Sequence, residues 1–312
     1  MKERFGWAPS LERVLCPLDV QQPTLSALKL ASSIAERFGA SLEALYVGSD
    51  AVSPASGKAL DNAGRASEPL SPLAAEQSLQ EIVRALACPV SPTAHFMLGN
   101  PVSAILERAS SPTFDLIVLG ARQRSDLGWQ FRTDVARQVA ALATCATLTV
   151  HERDTPETIE RILLPIDFSL VTTQALHWAA AFAVKFGAEV ELLHVVSREQ
   201  STVRSLDRER NVVRSSNVPS DVNGKLAELE QTLKRYGVAA SSQAVIASDV
   251  ANGIADYNDR GEFDLIVVGE SGPPQSPPRL TRGVVATLRN RMSVPVLSVR
   301  DLTPNSSRSA SG

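Results

Sequence analysis

Phe114-Asp-Leu-Ile-Val-Leu-Gly120 and Phe263-Asp-Leu-Ile-Val-Val-Gly269 are one phrase written twice, with Leu119 in the first and Val268 in the second. An aliphatic, partly β-branched run ending in glycine reads as a strand buried on both faces that stops at a turn. The phrase does not repeat alone. Arg13-Val-Leu-Cys-Pro-Leu-Asp19 pairs with Arg161-Ile-Leu-Leu-Pro-Ile-Asp167, Arg37-Phe-Gly39 with Lys185-Phe-Gly187, and Ala146-Thr-Leu-Thr-Val150 with Pro295-Val-Leu-Ser-Val299. A block recurring at this distance is a duplicated domain, because solenoid repeats are only about 20–50 residues long. The polar stretch His151-Glu-Arg-Asp-Thr-Pro156 marks the junction. The expected domains are 10–152 and 158–301, with 302–312 a disordered tail.

Within each half, short apolar strands alternate with amphipathic helices. The first half predicts strands near 12–17, 41–47, 93–98, 115–120 and 146–150. It predicts helices near 24–38, 71–87, 101–110 and 134–143. Alternating βα order means a parallel sheet covered on both faces. Leu25, Leu28, Ala31, Ala35 and Phe38 recur near the helical period, as do Ala175, Leu176, Ala179 and Phe182 in the second half. Gly39 and Gly187 suit the C-caps that follow. Residues 49–70 and 197–223 occupy the same slot after the second strand of each half. They are rich in Ser, Pro, Asn, Gly and charge and are expected to be mobile loops.

The chain has 312 residues, 44% hydrophobic and 21% charged, with a net charge of −3 and a pI near 5.9. This acidic balance gives no basic footprint for nucleic acid. No stretch approaches the roughly 20 apolar residues of a membrane span. The start lacks the apolar core of a signal peptide, so a cytoplasmic location is expected. Three scattered cysteines, Cys16, Cys88 and Cys145, fit a reducing compartment.

Each half resembles a universal stress protein domain, and the chain resembles a tandem universal stress protein. The resemblance rests on Leu15-Cys-Pro-Leu-Asp19 and Leu163-Leu-Pro-Ile-Asp167, the second strand Leu192-Leu-His-Val-Val196, the repeated Asp-Leu-Ile-Val-x-Gly and the closing strands. It implies two flavodoxin-like, doubly wound parallel sheets of five strands each. It also implies dimerisation through the last strand. In a tandem chain, Thr147–Val150 and Val296–Val299 are then expected to pair within the chain as a pseudo-dimer, hiding two exposed edges. A homo-oligomer and an unidentified protein partner remain open.

Some family members bind ATP. The resemblance implies that these carry Gly-x2-Gly-x9-Gly and a Ser or Thr after the fourth strand, an acid after the first, and Gly-x-Pro after the third. In this chain the matching candidates are Asp19, Gly99, Gly120, Arg122 and Thr133, and Asp167, Gly269, Gly272, Arg282 and Gly283. The cofactor is left open: ATP or another adenine nucleotide, with Mg if it is ATP. Both copies depart from the pattern. In the first, Gln123 replaces the second glycine and Thr133-Asp134 replace Gly-Ser/Thr, with Asp134 expected to N-cap the next helix and repel phosphate. In the second, the spacer is one residue too long, and Val284 has no hydroxyl. Pro273, Pro274, Pro277 and Pro278 lack N–H donors, and Glu270 is expected to add a repelling charge. Arg122, Arg124, Arg132, Arg279 and Arg282 are the side chains available to an anion instead.

No constellation for catalysis is legible. The four histidines, His95, His151, His177 and His194, form no zinc-binding spacing, and there is no GxSxG elbow or P-loop. His194 lies on an apolar strand and reads as a satisfied core residue; His177 reads as surface or packing. The expected function is therefore a non-enzymatic stress-response protein with degenerate nucleotide pockets that works through protein contacts. The alternative is an adenine-nucleotide-binding stress switch with slow hydrolysis.

Overall fold

The structure is a computed structural model that describes residues 9–20, 23–48, 71–86, 89–110, 113–121, 132–151, 158–197, 212–214, 220–270 and 280–300. The first half runs β1 (Arg13–Pro17), α1 (Leu25–Phe38), β2 (Ser41–Gly48), α2 (Pro72–Ala85), β3 (Thr93–Leu98), α3 (Pro101–Ser110), β4 (Leu116–Ala121), α4 (Arg132–Leu142) and β5 (Ala146–His151). The second half runs β6 (Arg161–Pro165), α5 (Leu170–Phe186), β7 (Glu189–Ser197), β8 (Val212–Arg214), α6 (Ser220–Arg235), β9 (Ala240–Ala247), α7 (Val250–Gly261), β10 (Leu265–Glu270), α8 (Leu280–Arg291) and β11 (Val296–Arg300).

Each half is the doubly wound α/β sheet expected, and the two join into one 11-stranded sheet ordered β3-β2-β1-β4-β5-β11-β10-β6-β7-β9-β8. The seam is antiparallel: Thr147 faces Ser298, Leu148 faces Leu297 and Thr149 faces Val296. The register is centred on Leu148 and Leu297, so the halves are related by a local two-fold there. The strand pairing expected for a pseudo-dimer is thus formed inside one chain.

The second half departs from five strands. Val212–Arg214 adds a sixth, antiparallel to the edge of β9, with Val212 opposite Ala247. Part of the expected loop 197–223 is therefore a strand, because the edge of β9 offers unpaired N–H and C=O groups that a nearby extended segment satisfies. The expected loop 49–70 and the tail 302–312 lie outside the described residues.

Helices α1, α2, α5 and α6 cover one face of the sheet, where a single apolar core runs through both halves. Leu28, Ile34 and Leu79 belong to it, as do Leu148, Ile162, Phe182 and Leu297. The other face has separate cores, one under α3 and α4 around Phe114 and Ile117, one under α7 and α8 around Phe263 and Leu288. The glycines after α1 and α5 end those helices in the left-handed conformation, Gly39 at φ 72° and Gly187 at φ 75°. The residues just before them cross the two-fold. Arg37 lies over the Phe186 ring at 5.3 Å, Lys185 lies over Phe38 at 5.5 Å, and Phe38 meets Phe182 at 5.2 Å.

The repeated Phe-Asp has a structural cause in both halves. Asp115 accepts from the backbone N–H groups of Glu12 and Arg13, at 2.8 and 2.9 Å, latching the start of β1 to that of β4. Asp264 does the same to Glu160 and Arg161, both at 2.8 Å. The arginine that opens each first strand lies over the phenylalanine, 4.8 Å for Arg13 on Phe114 and 4.7 Å for Arg161 on Phe263.

Candidate functional site

In an open α/β sheet a ligand sits beyond the carboxyl ends of the strands where the strand order reverses. Here that place is between β1 and β4 in the first half and between β6 and β10 in the second. The sheet accordingly brings Asp19 and Gly120 to neighbouring strand ends, and likewise Asp167 and Gly269. Gly99 follows β3, the outer strand. Arg122 and Gly272 lie outside the described residues, as do Gln123, Arg124 and the four prolines.

The two glycines that end the repeated phrase are occupied by helix packing. A Cβ on Gly120 would stand 2.5 Å from Cβ of Thr24, the residue before α1. A Cβ on Gly269 would stand 2.8 Å from Cγ1 of Val171 and 3.1 Å from its backbone oxygen. In each half the first helix starts directly against the end of the fourth strand, and only glycine leaves room for it. These positions are constrained by packing whether or not a phosphate is bound.

Asp167 is committed to the turn that follows it. Its Oδ1 accepts from the Ser169 N–H at 3.0 Å and from Thr172 Oγ1 at 2.9 Å, an Asx turn that leads into α5. Between them Phe168 takes a left-handed φ of 57°, a strained state for an aromatic residue. Its ring lies against His194, 4.8 Å between centroids and tilted by 40°, and Lys225 lies over it at 5.5 Å. His194 Nδ1 donates to the Ile166 carbonyl at 2.7 Å, which fixes the tautomer and satisfies the ring as expected. Asp19, the counterpart of Asp167, is half-buried at the end of the first-half turn.

The turn after the third strand is also a helix start. Gly99 sits at φ 137°, Asn100 Oδ1 accepts from the Ser103 N–H at 3.2 Å, and Pro101 opens α3. The second half has no Gly-x-Pro, but Asp249 fills the role of Asn100, accepting from the Asn252 N–H at 3.0 Å and capping α7.

Three expectations change in the structure. Helix α4 begins at Arg132, so Thr133 and Asp134 lie inside its first turn and Asp134 is not the N-cap. Helix α8 begins at Leu280, which puts Arg282 and Gly283 in its first turn, with Gly283 solvent-exposed, rather than in the turn before it. Helix α4 thus starts two residues nearer the loop than the expected span 134–143. Glu270 does not repel an incoming anion. It is 3% exposed and points into the sheet seam, where it accepts from Arg289 at 2.9 Å and Arg300 at 3.0 Å. Burial pushes the Arg289 guanidinium below its ordinary value, and Glu270 opposes that.

This buried Arg–Glu–Arg group is what reading the sequence missed. Its advance signal was two charges at the ends of apolar strands, Glu270 and Arg300. His177 is half-buried against Tyr236, and desolvation lowers its pKa. Among the described residues no helix is long and apolar enough to cross a membrane, and no group of three acidic, histidine or cysteine side chains is placed to hold a metal.

The family model described as "Universal stress protein family" matches the chain twice, at residues 10–151 and 158–300. Among solved structures, a universal stress protein from Archaeoglobus fulgidus DSM 4304 superposes with a TM-score of 0.65 at 14% identity, covering 92% of this chain and 98% of that one. A functionally unknown protein from Pseudomonas aeruginosa PAO1 superposes with a TM-score of 0.60 at 14% identity, covering 93% of each chain. At that identity the likeness speaks to the fold. No curated protein matches the chain.

Proposed function

The chain belongs to the universal stress protein family as two domains in tandem, and from that premise we propose a non-enzymatic stress-response protein that works through protein contacts, its nucleotide pockets degenerate. The observation that carries this reading is the commitment of Asp167 to Ser169 and Thr172. The acid that would face a base is already hydrogen-bonded into the turn that leads to α5. Thr24 and Val171 pack against the glycines that end the fourth strands, and Phe168 lies against His194. The loops depart from the phosphate-binding pattern in both halves.

A second reading, an adenine-nucleotide switch with slow hydrolysis, draws on one feature. Phe168 is held at positive φ beside the candidate site, and strained residues of this kind cluster at ligand sites. The two readings separate in one experiment. The purified protein is denatured and the released small molecules are identified by mass spectrometry, with a calorimetric ATP–Mg titration alongside. No co-purified nucleotide and no heat of binding at millimolar ATP is the expected result. Released ATP or micromolar binding would overturn the first reading and establish the second.

A further inference from the structure

The seam between β5 and β11 is built from unlike parts. Glu270 bridges Arg289 and Arg300. Arg289 also donates through Nε to Ser298 Oγ at 3.0 Å and through Nη2 across the seam to Thr147 Oγ1 at 3.5 Å. Arg300 reaches into the first half, donating to the carbonyls of Ala143 at 2.8 Å and Ala140 at 3.0 Å, at the end of α4. A cation there satisfies carbonyls that have no partner in the helix and meets the negative end of its dipole. The local two-fold supplies the reciprocal contact: His151 Nε2 lies 3.0 Å from the Arg289 carbonyl near the end of α8.

That reciprocity stops at the charges. In the register that maps one half onto the other, Glu270 corresponds to Ala121, Arg289 to Ala140, Arg300 to His151 and Val296 to Thr147. The first half contributes no carboxylate and no guanidinium at these places. All three groups of the second half are nonetheless at most 8% exposed.

We infer that the seam is coded for unlike halves: the last strand and helix of the second half select the first half, its own or that of another copy, and reject a second half. Pairing two second halves would bury four guanidiniums with two carboxylates. Each Arg300 would approach the end of α8 that carries Arg289, and Val296 would replace the Thr147 hydroxyl. Close like charges in a desolvated contact disfavour the wrong partner strongly. Two first halves meet no such penalty, but their pairing strands the second halves, so unlike pairs dominate when both are present in equal amounts.

The test uses the whole protein with a protease site placed in the junction 152–157. The chain is cut, unfolded in urea, refolded and weighed by native mass spectrometry; the uncut chain taken through the same cycle reports reversibility. The expected result is one species holding one half of each kind, at least tenfold over either like pair. Like and unlike pairs near the statistical 1:2:1, or halves recovered unpaired, would overturn the inference. The triple variant Glu270→Ala, Arg289→Ala, Arg300→His writes the first-half residues into the second half. It should lose the preference and form pairs of second halves. Where the triple variant does not refold, Arg300→His alone, which keeps the Glu270–Arg289 pair, should raise the share of second-half pairs. A variant that still pairs only with the first half would show that these groups do not set the selection.

Discussion

At the scale of single residues, the repeated features of the strand ends have local causes. Gly120 and Gly269 end the repeated phrase because Thr24 and Val171 stand where a side chain would be. Gly120→Ala and Gly269→Ala should each destabilise the protein by about 1–3 kcal/mol, the usual cost of overpacking, measured as a lower urea midpoint. The neighbour at Gly269 is partly backbone, which cannot rotate away, so that substitution should be the harsher. Asp167→Ala should lower stability by about 1 kcal/mol through the lost hydrogen bonds to Ser169 and Thr172. It should leave nucleotide binding as it is in the unaltered protein, a calorimetric comparison that separates a turn-forming role from a binding one. The two glycines were legible as turn positions, but the side chain that fills their space comes from a distant helix, which spacing does not reveal. Glu270 was misread for the same reason. In the chain it sits beside Gly269 and the prolines; in space it faces Arg289 and Arg300, 19 and 30 positions away.

At the scale of elements, the alternation of strands and helices and the helix faces were open to inspection because the period of apolar residues and the duplicated phrases agreed, while the seam pairing came from the family resemblance alone. Helix starts were not open in this way. Helix α4 begins at Arg132, before the first apolar position of its pattern, in polar sequence where periodicity is silent. Strand β8 was hidden too, since its pairing partner is the β9 edge rather than a turn-linked neighbour. One element carries a pH-dependent link. Glu230 of α6 accepts from Lys234 at 2.6 Å and from Ser242 of β9 at 2.7 Å, and these hydrogen bonds, Lys234 first, hold its carboxyl below the usual range. A carboxyl lowered on folding contributes stability that is complete above its unfolded value and is lost as pH falls through the lower folded one. Glu230→Gln should therefore narrow the difference in thermal midpoint between neutral pH and mildly acid pH, by a small amount because the pair is partly exposed.

At the scale of the whole molecule, the continuous core under α1 and α5 and the antiparallel seam tie the halves into one folding unit. Urea denaturation followed by far-ultraviolet circular dichroism and by tryptophan fluorescence should give coincident transitions. Glu270→Ala should shift both together. It leaves two guanidiniums buried without their carboxylate, a loss of about 3–5 kcal/mol for a broken buried pair. A shift confined to one transition would mean that the halves unfold separately.

The antiparallel seam also fixes which way each half looks. Every pairing between the central strands of a half is parallel, and the two halves meet head to tail, so the strand ends carrying Asp19 and Asp167 lie on opposite rims of the sheet. The molecule is a tile with two addresses that cannot be read by one small visitor. A ligand at one rim makes no direct contact with the strand ends at the other. Phe168 with its strained backbone and the strand β8 both belong to the second half.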